Sequence, residues 1–186
     1  MPLLGVLESR HARRAIAPDP VDDEVLGRLV EAARLAPSCF NNQPWRMVVV
    51  SGAVLEELRT SLSEGNKWAT RAPVIIAFVT KPSLDCRMDG GRDFASFDLG
   101  LAQMALMLQA TEEGLIAHPV AGFSAPKAAK IIGLPEDFVL WDLVIVGKPG
   151  DEGLLAEWQF ERERGPRQRK ALGEQVFRDR FGTAWT

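Results

Sequence analysis

Residues 36–45 run Ala-Pro-Ser-Cys-Phe-Asn-Asn-Gln-Pro-Trp, and the chain is regular on both sides of them. Two prolines bracket a run of hydroxyl, thiol and amide side chains, a composition that predicts a loop. Upstream, residues 22–35 carry Val25, Leu26, Leu29, Val30 and Ala33 at helical spacing, with Asp22 placed to cap and Asp23 and Glu24 in the first turn. Pro37 ends that helix. Downstream, Arg46–Ser51 contains Met-Val-Val-Val and predicts a buried strand. A polar loop held between a helix end and a strand suits the edge of a heteroaromatic ligand. The plainer alternative is a turn in which Asn41, Asn42 and Gln43 cap backbone groups.

Working outward, Leu55, Leu58 and Leu62 mark a short helix, and Pro73–Thr80 (Pro-Val-Ile-Ile-Ala-Phe-Val-Thr) predicts a second strand. Gly90-Gly91 punctuates a loop. Residues 94–113 are apolar on most faces, and Phe97, Leu101, Met104, Ala105 and Leu108 predict a helix buried in the domain centre. A short helix at Ala125–Ile132 and a strand at Phe138–Gly147 follow. Helices interleaved with three or four strands give an α+β or α/β chain, read as one domain spanning 1–186 without repeat or linker. From about Gly150 the tail has no core periodicity, yet it holds Trp158, Phe160, Phe177, Phe181 and Trp185 among many charges. Large apolar anchors without a core of their own predict a tail lying across another surface.

At 186 residues and 46% apolar, the chain supplies one ordinary core and no room for two cofactor domains in series. The formal charge of −3 is unevenly spread. Residues 35–161 carry 10 basic against 16 acidic groups, a net of −6, while 162–186 carry 7 against 3, a net of +4. Arg10, Arg13 and Arg14 form a second basic knot. The overall sign, and the glutamates interleaved in the basic tail, argue against a nucleic-acid partner. No run approaches the roughly 18 apolar residues of a membrane span, and no leader pattern precedes the first helix. Cys39 and Cys86 lie far apart, which predicts reduced thiols, no disulfide, no metal site and a cytoplasmic setting.

No glycine-rich dinucleotide fingerprint follows a strand, and no Walker-type loop is present. Two histidines, His11 and His118, support a Ser-His-Asp hydrolase poorly; counting alone leaves a Cys39–His118 pair open. Residues 9–21 are more informative. In an extended stretch Arg10, Ala12 and Arg14 point one way, so the two guanidiniums can clamp one anion. Arg167-Gln168-Arg169-Lys170 is a further basic element in the tail.

Together these segments resemble the FMN-dependent nitroreductase family. Its Arg-x-Ser-x-Arg/Lys signature is met at Arg10, Ala12 and Arg14, and its Ala-Pro-Ser-x-x-Asn-x-Gln-Pro-Trp signature at Ala36, Pro37, Ser38, Asn41, Gln43, Pro44 and Trp45. Gly65-Asn66-Lys67-Trp68, Phe97-Asp98-Leu99-Gly100, Gly114-Leu115, His118–Phe123 and Arg167–Leu172 follow in the family's order. The likeness covers nearly the whole chain.

The resemblance implies an α+β three-layer sandwich, a central mixed or antiparallel sheet between helices, with the tail (about 150–186) exchanged across a homodimer. It implies FMN at the subunit interface. Arg10, His11, Ala12 and Arg14, with Arg167 and Arg169, would hold phosphate and ribityl groups. Pro37, Ser38, Cys39, Asn41 and Gln43 would border the flavin ring of a site on the partner subunit, and Asn66 would reach the pyrimidine edge. Pro119, Ala121 and Gly122 would lie along the ring, with backbone amides near N5 and O4. The chain departs from the family at Ala12, where a serine hydroxyl is lost, and at Ala121, where many relatives carry an acid. The implied activity is ping-pong transfer of hydride from NADH or NADPH to flavin and on to a small nitroaromatic, quinone or enal-like acceptor, with no catalytic side chain required. A flavin-binding or storage protein, or a flavin-fragmenting or dehalogenating relative, are the alternatives.

Overall fold

The computed structural model describes residues 2–185, with the backbone alone at 88 and 89. The chain falls into two compact units, Met1–Leu155 and Ala156–Thr186.

The first unit is built on a four-stranded sheet in the order β1 (Arg46–Val50), β2 (Val74–Thr80), β6 (Val139–Gly147), β5 (Ile116–Val120). Every pairing is antiparallel. β2 is buried along its whole length because both its edges are paired and both its faces are covered. Its side chains alternate: Val74, Ile76 and Phe78 face one core cluster, Ile75, Ala77 and Val79 the other. Helices α2 (Asp23–Arg34) and α4 (Phe94–Glu112) close the first face. Helices α3 (Gly52–Arg59) and α5 (Ala125–Ile131), with the 3-10 helix Glu64–Arg71, close the second. The architecture is therefore α+β in three layers. This unit also contains a five-residue α1 (Gly5–Ser9), a hairpin of β3 (Arg87–Met88) and β4 (Arg92–Asp93), and short 3-10 turns.

Three local expectations change. Asp22 precedes α2 but its side chain makes no capping bond. β1 is half-exposed rather than buried, since as an edge strand it is paired on one side alone. In α4 the buried stripe is Ala95, Leu99, Ala102, Leu106 and Ala110, whereas Phe97 is 61% exposed and Met104 and Leu108 are half-buried. Asp93 caps α4, accepting from the Ala95 N–H at 2.9 Å.

The predicted reduced thiols are also corrected: Cys39 and Cys86 form a disulfide. A separation of 47 residues carries no local signal. The fold lays the 81–86 turn against the 38–43 loop and brings the two Cα atoms to 6.3 Å, within disulfide reach. Among the described residues no helix is long and apolar enough to cross a membrane.

The second unit is not wholly extended. It contains α6 (Glu157–Arg164), then a turn closed by a Phe177–Ala184 bridge. Phe177 and Phe181 rings meet there at 4.6 Å, and Arg178 sits 4.5 Å over Trp185.

Candidate functional site

The N-terminal basic stretch has no regular structure, so tertiary bonds must hold it. The Ala17 N–H donates to the Lys148 carbonyl at 2.9 Å and the Gly150 N–H to the Ala15 carbonyl at 2.7 Å. Further along the same stretch, His118 on β5 reaches back with Nδ1 2.9 Å from the Arg13 carbonyl. Because a carbonyl only accepts, this nitrogen carries the proton. His118 is buried, and its pKa is pushed down to about 4. Burial is the main cause; the Arg13 carbonyl opposes it, and the positive charges of Arg14 and Arg10 add to it. Both guanidiniums therefore act on the same imidazole.

From His118 the contacts continue. Its ring lies 4.6 Å from that of buried Trp68, whose Nε1–H donates to Asn66 Oδ1 at 3.3 Å. Asn66 Nδ2 donates to the Gly122 carbonyl at 2.9 Å. The same carbonyl accepts from the Ser63 N–H at 3.0 Å and the Ser63 hydroxyl at 2.7 Å. A Leu62–Phe123 bridge and the bond from the Ser124 N–H to the Ser61 carbonyl complete the seam. A Cβ on Gly122 would stand 2.5 Å from Asn66 Nδ2 and 2.7 Å from Ser63 Oγ, so any larger residue there must displace both side chains from their bonds.

The loop of residues 36–45 is ordered by a different set of bonds. Phe40, Asn41 and Gln43 adopt φ of 48°, 58° and 49°. Left-handed backbone at non-glycine residues costs on the order of 1 kcal/mol each, least for asparagine. The Ser38 hydroxyl accepts from the Gln43 N–H at 2.9 Å, and buried Asp98 on α4 accepts from the Cys39 N–H at 2.7 Å. Asn42 Nδ2 donates to Asp85 at 3.0 Å. Burial raises the pKa of Asp98; the Cys39 N–H opposes this, and neighbouring Asp85 reinforces it. Cys39, Asp85 and Cys86 cluster as metal ligands would, but both sulfurs are in the disulfide.

The predicted residues thus fall into three groups. Asn66 and Gly122 belong to one network that runs through Trp68 and His118 to the Arg13 carbonyl, which lies in sequence between Arg10 and Arg14, with Ala12 and Pro119 half-buried beside these residues and Ala121 exposed at its end. His11 is half-buried in the same basic stretch. Pro37, Ser38, Cys39, Asn41 and Gln43 form the second group, whose anchors Asp98, Asp85 and Cys86 lie outside that network. Arg167 and Arg169 belong to the second unit, where both are exposed. The disulfide leaves no Cys39 thiol to pair with His118. Ser63, Asp85 and Cys86 have no motif of their own and give no signal in the sequence, whereas Trp68 stands in a recognised motif without a role.

The model of the Nitroreductase family matches residues 7–67 and 61–148. The chain belongs to the nitroreductase family. The matched span contains both the His118 network and the 36–45 loop of this nitroreductase-family chain. An NADH dehydrogenase of Thermus thermophilus is 28% identical over 188 residues, covering 82% of this chain and 91% of the relative. The solved structure of an FMN-containing oxidoreductase is 29% identical with a TM-score of 0.87, covering 98% of this chain and 94% of that one. A nitroreductase family protein of Clostridium difficile 630 is 22% identical with a TM-score of 0.79, covering 97% and 100%, a likeness of fold.

Proposed function

We propose that this nitroreductase-family oxidoreductase binds FMN and uses NADH or NADPH to reduce a small electrophilic acceptor, such as a nitroaromatic or quinone. The observation that carries the reading is the run of contacts from the Arg13 carbonyl, in the basic stretch of Arg10 and Arg14, through His118, Trp68 and Asn66 to Gly122. One end is cationic and suits a phosphate; the other offers amide N–H groups and suits the edge of a flavin ring. When bound, FMN supplies a two-electron carrier between nicotinamide and acceptor.

This chain's residues then have defined tasks. Arg10 and Arg14 hold the phosphate. His118 stays neutral at pH 7, so it holds the Arg13 carbonyl without burying a third positive charge. Asn66 and the Gly122 backbone present donors to the ring, where they favour negative charge. Ala121 leaves the acceptor side without a carboxylate. Pro37, Ser38 and Asn41 complete the site of a second protomer, a role supported by the apolar outer face of α4 at Phe97, Met104 and Leu108.

The test is direct. The purified protein is yellow, or becomes so with added FMN, and oxidises NAD(P)H only when an acceptor is present. Initial rates with both substrates varied give parallel double-reciprocal lines. A protein that takes up no FMN and shows no such turnover overturns the reading, and sedimentation as an FMN-loaded monomer overturns the shared site.

A further inference from the structure

We propose that Ser63 and Trp68 are positioning residues that set the direction of the Gly122 N–H and of the Asn66 amide. The inference rests on the functional reading above and adds two side chains to it. The Gly122 carbonyl receives three donors, the Ser63 N–H, the Ser63 hydroxyl and Asn66 Nδ2, at 3.0, 2.7 and 2.9 Å. Three donors around one carbonyl fix the 122–123 peptide plane. The neighbouring 121–122 peptide is fixed as well, because its carbonyl accepts from the Phe123 N–H at 3.1 Å in a tight turn. A trans peptide directs its N–H opposite its carbonyl. The Gly122 N–H therefore points away from the turn, and among the described residues it meets no hydrogen-bond acceptor.

Trp68 reinforces which way round Asn66 sits. The indole N–H can only donate, so it selects Oδ1 as its partner; the Gly122 carbonyl can only accept, so it selects Nδ2. Each contact disfavours the flipped amide, and together they hold one orientation from both ends. The Gly122 carbonyl takes one Nδ2 hydrogen, and the other points elsewhere in a direction fixed by the same bond. Ser63 and Trp68 touch neither reacting atom, and they act by removing alternative directions for donors that do.

The decisive variant is Ser63→Ala, which deletes an exposed hydroxyl and leaves the core intact, with Ser63→Thr as the conservative rescue. Trp68→Phe keeps the ring against His118 and removes the N–H. The readouts are the midpoint potential of bound FMN and amide hydrogen exchange at Phe123 in the flavin-free protein, since the Phe123 N–H lies in the 122–123 peptide and is bonded to the Ala121 carbonyl. Ser63→Ala is expected to weaken the preference for reduced over oxidised flavin about tenfold, a fall of about 30 mV for two electrons, and Trp68→Phe to move it the same way by less. Phe123 exchange is expected to rise at least several-fold in Ser63→Ala, and Ser63→Thr to restore both. Unchanged potential and exchange in Ser63→Ala overturn the inference, whatever becomes of Trp68→Phe. If the parent takes up no FMN, the functional reading fails instead. Phe123 exchange then decides on its own whether Ser63 holds this turn.

Discussion

The imidazole of His118 and the carbonyl of Arg13 are joined by one 2.9 Å bond across 105 residues of chain, between an edge strand and the basic stretch. That bond ties the electrostatics of the site to the pH dependence of the fold. With the His118 pKa pushed from 6.5 to about 4, the unfolded chain holds the extra proton between those values. His118 therefore makes stability rise with pH across that window. Asp142 on β6 does the opposite. Burial, partly offset by the 2.6 Å bond from Gln103, raises its pKa from 3.8 to about 6, so the folded chain holds the extra proton. Each shift is worth up to about 3 kcal/mol. The two slopes oppose one another between about pH 4 and 6. Asp142→Asn should uncover the histidine limb, with melting temperature dropping from about pH 6.5 to 4 more steeply than in the parent. Superimposable profiles from melts across that range would count against the assignment.

Arg10→Ala and Arg14→Ala should each raise the His118 pKa, since both charges now lower it. NMR titration of the flavin-free protein reads this without any cofactor. On the functional reading, each should also weaken FMN binding about tenfold or more, the loss of a charge-assisted hydrogen bond of about 1.5–3 kcal/mol. Binding of FMN to the parent should weaken as salt rises. A His118 pKa indifferent to both substitutions breaks the link between the arginines and this histidine.

Reducing the Cys39–Cys86 disulfide, or replacing Cys86→Ser, should lower stability by about 2–4 kcal/mol for a loop of this length. The loss should be felt first at residues 38–43, where left-handed backbone is held by few bonds. Thermal unfolding with and without a dithiol measures the first effect, and hydrogen exchange locates the second. No free thiol should react with a maleimide before reduction.

Two glycines should respond differently to alanine. At Gly150 a Cβ meets the backbone of Ile16 and Ala17 at 2.6–2.7 Å, which cannot swing aside. Gly150→Ala should cost about 1–3 kcal/mol. At Gly122 the obstruction is the ends of two side chains, which can turn away at the expense of their bonds. Gly122→Ala should cost about 1 kcal/mol in stability while emptying the protein of flavin. Chemical denaturation and the flavin-to-protein absorbance ratio separate the two outcomes.

The sequence is legible where one local pattern suffices. The uninterrupted apolar run at 74–79 reads as a strand, though its central place in the sheet does not show, and the helix at 23–34 declares itself by spacing. β5 is hidden because His118 and Pro119 break its pattern; Pro119 is tolerated there because β5 is an edge strand. The outward aim of Phe97 is not foreseeable, since α4 is apolar on most faces and only its neighbours choose the buried stripe. The disulfide and the Ser63–Gly122 contact are products of folding at separations of 47 and 59 residues, for which sequence holds no period. Asn66 and Gly122 are named on resemblance alone; what orients them is visible only in space.

The sheet order also has a cost during synthesis. β1 and β2 are complete once Thr80 has been made, but the other edge of β2 has no partner until Val139–Gly147 emerges. At ordinary elongation rates of about 5–20 residues per second that interval lasts roughly 3–12 s. Throughout it a seven-residue apolar strand with an unpaired edge is open to neighbouring nascent chains. The best-buried strand of the finished protein is, for those seconds, its most adhesive.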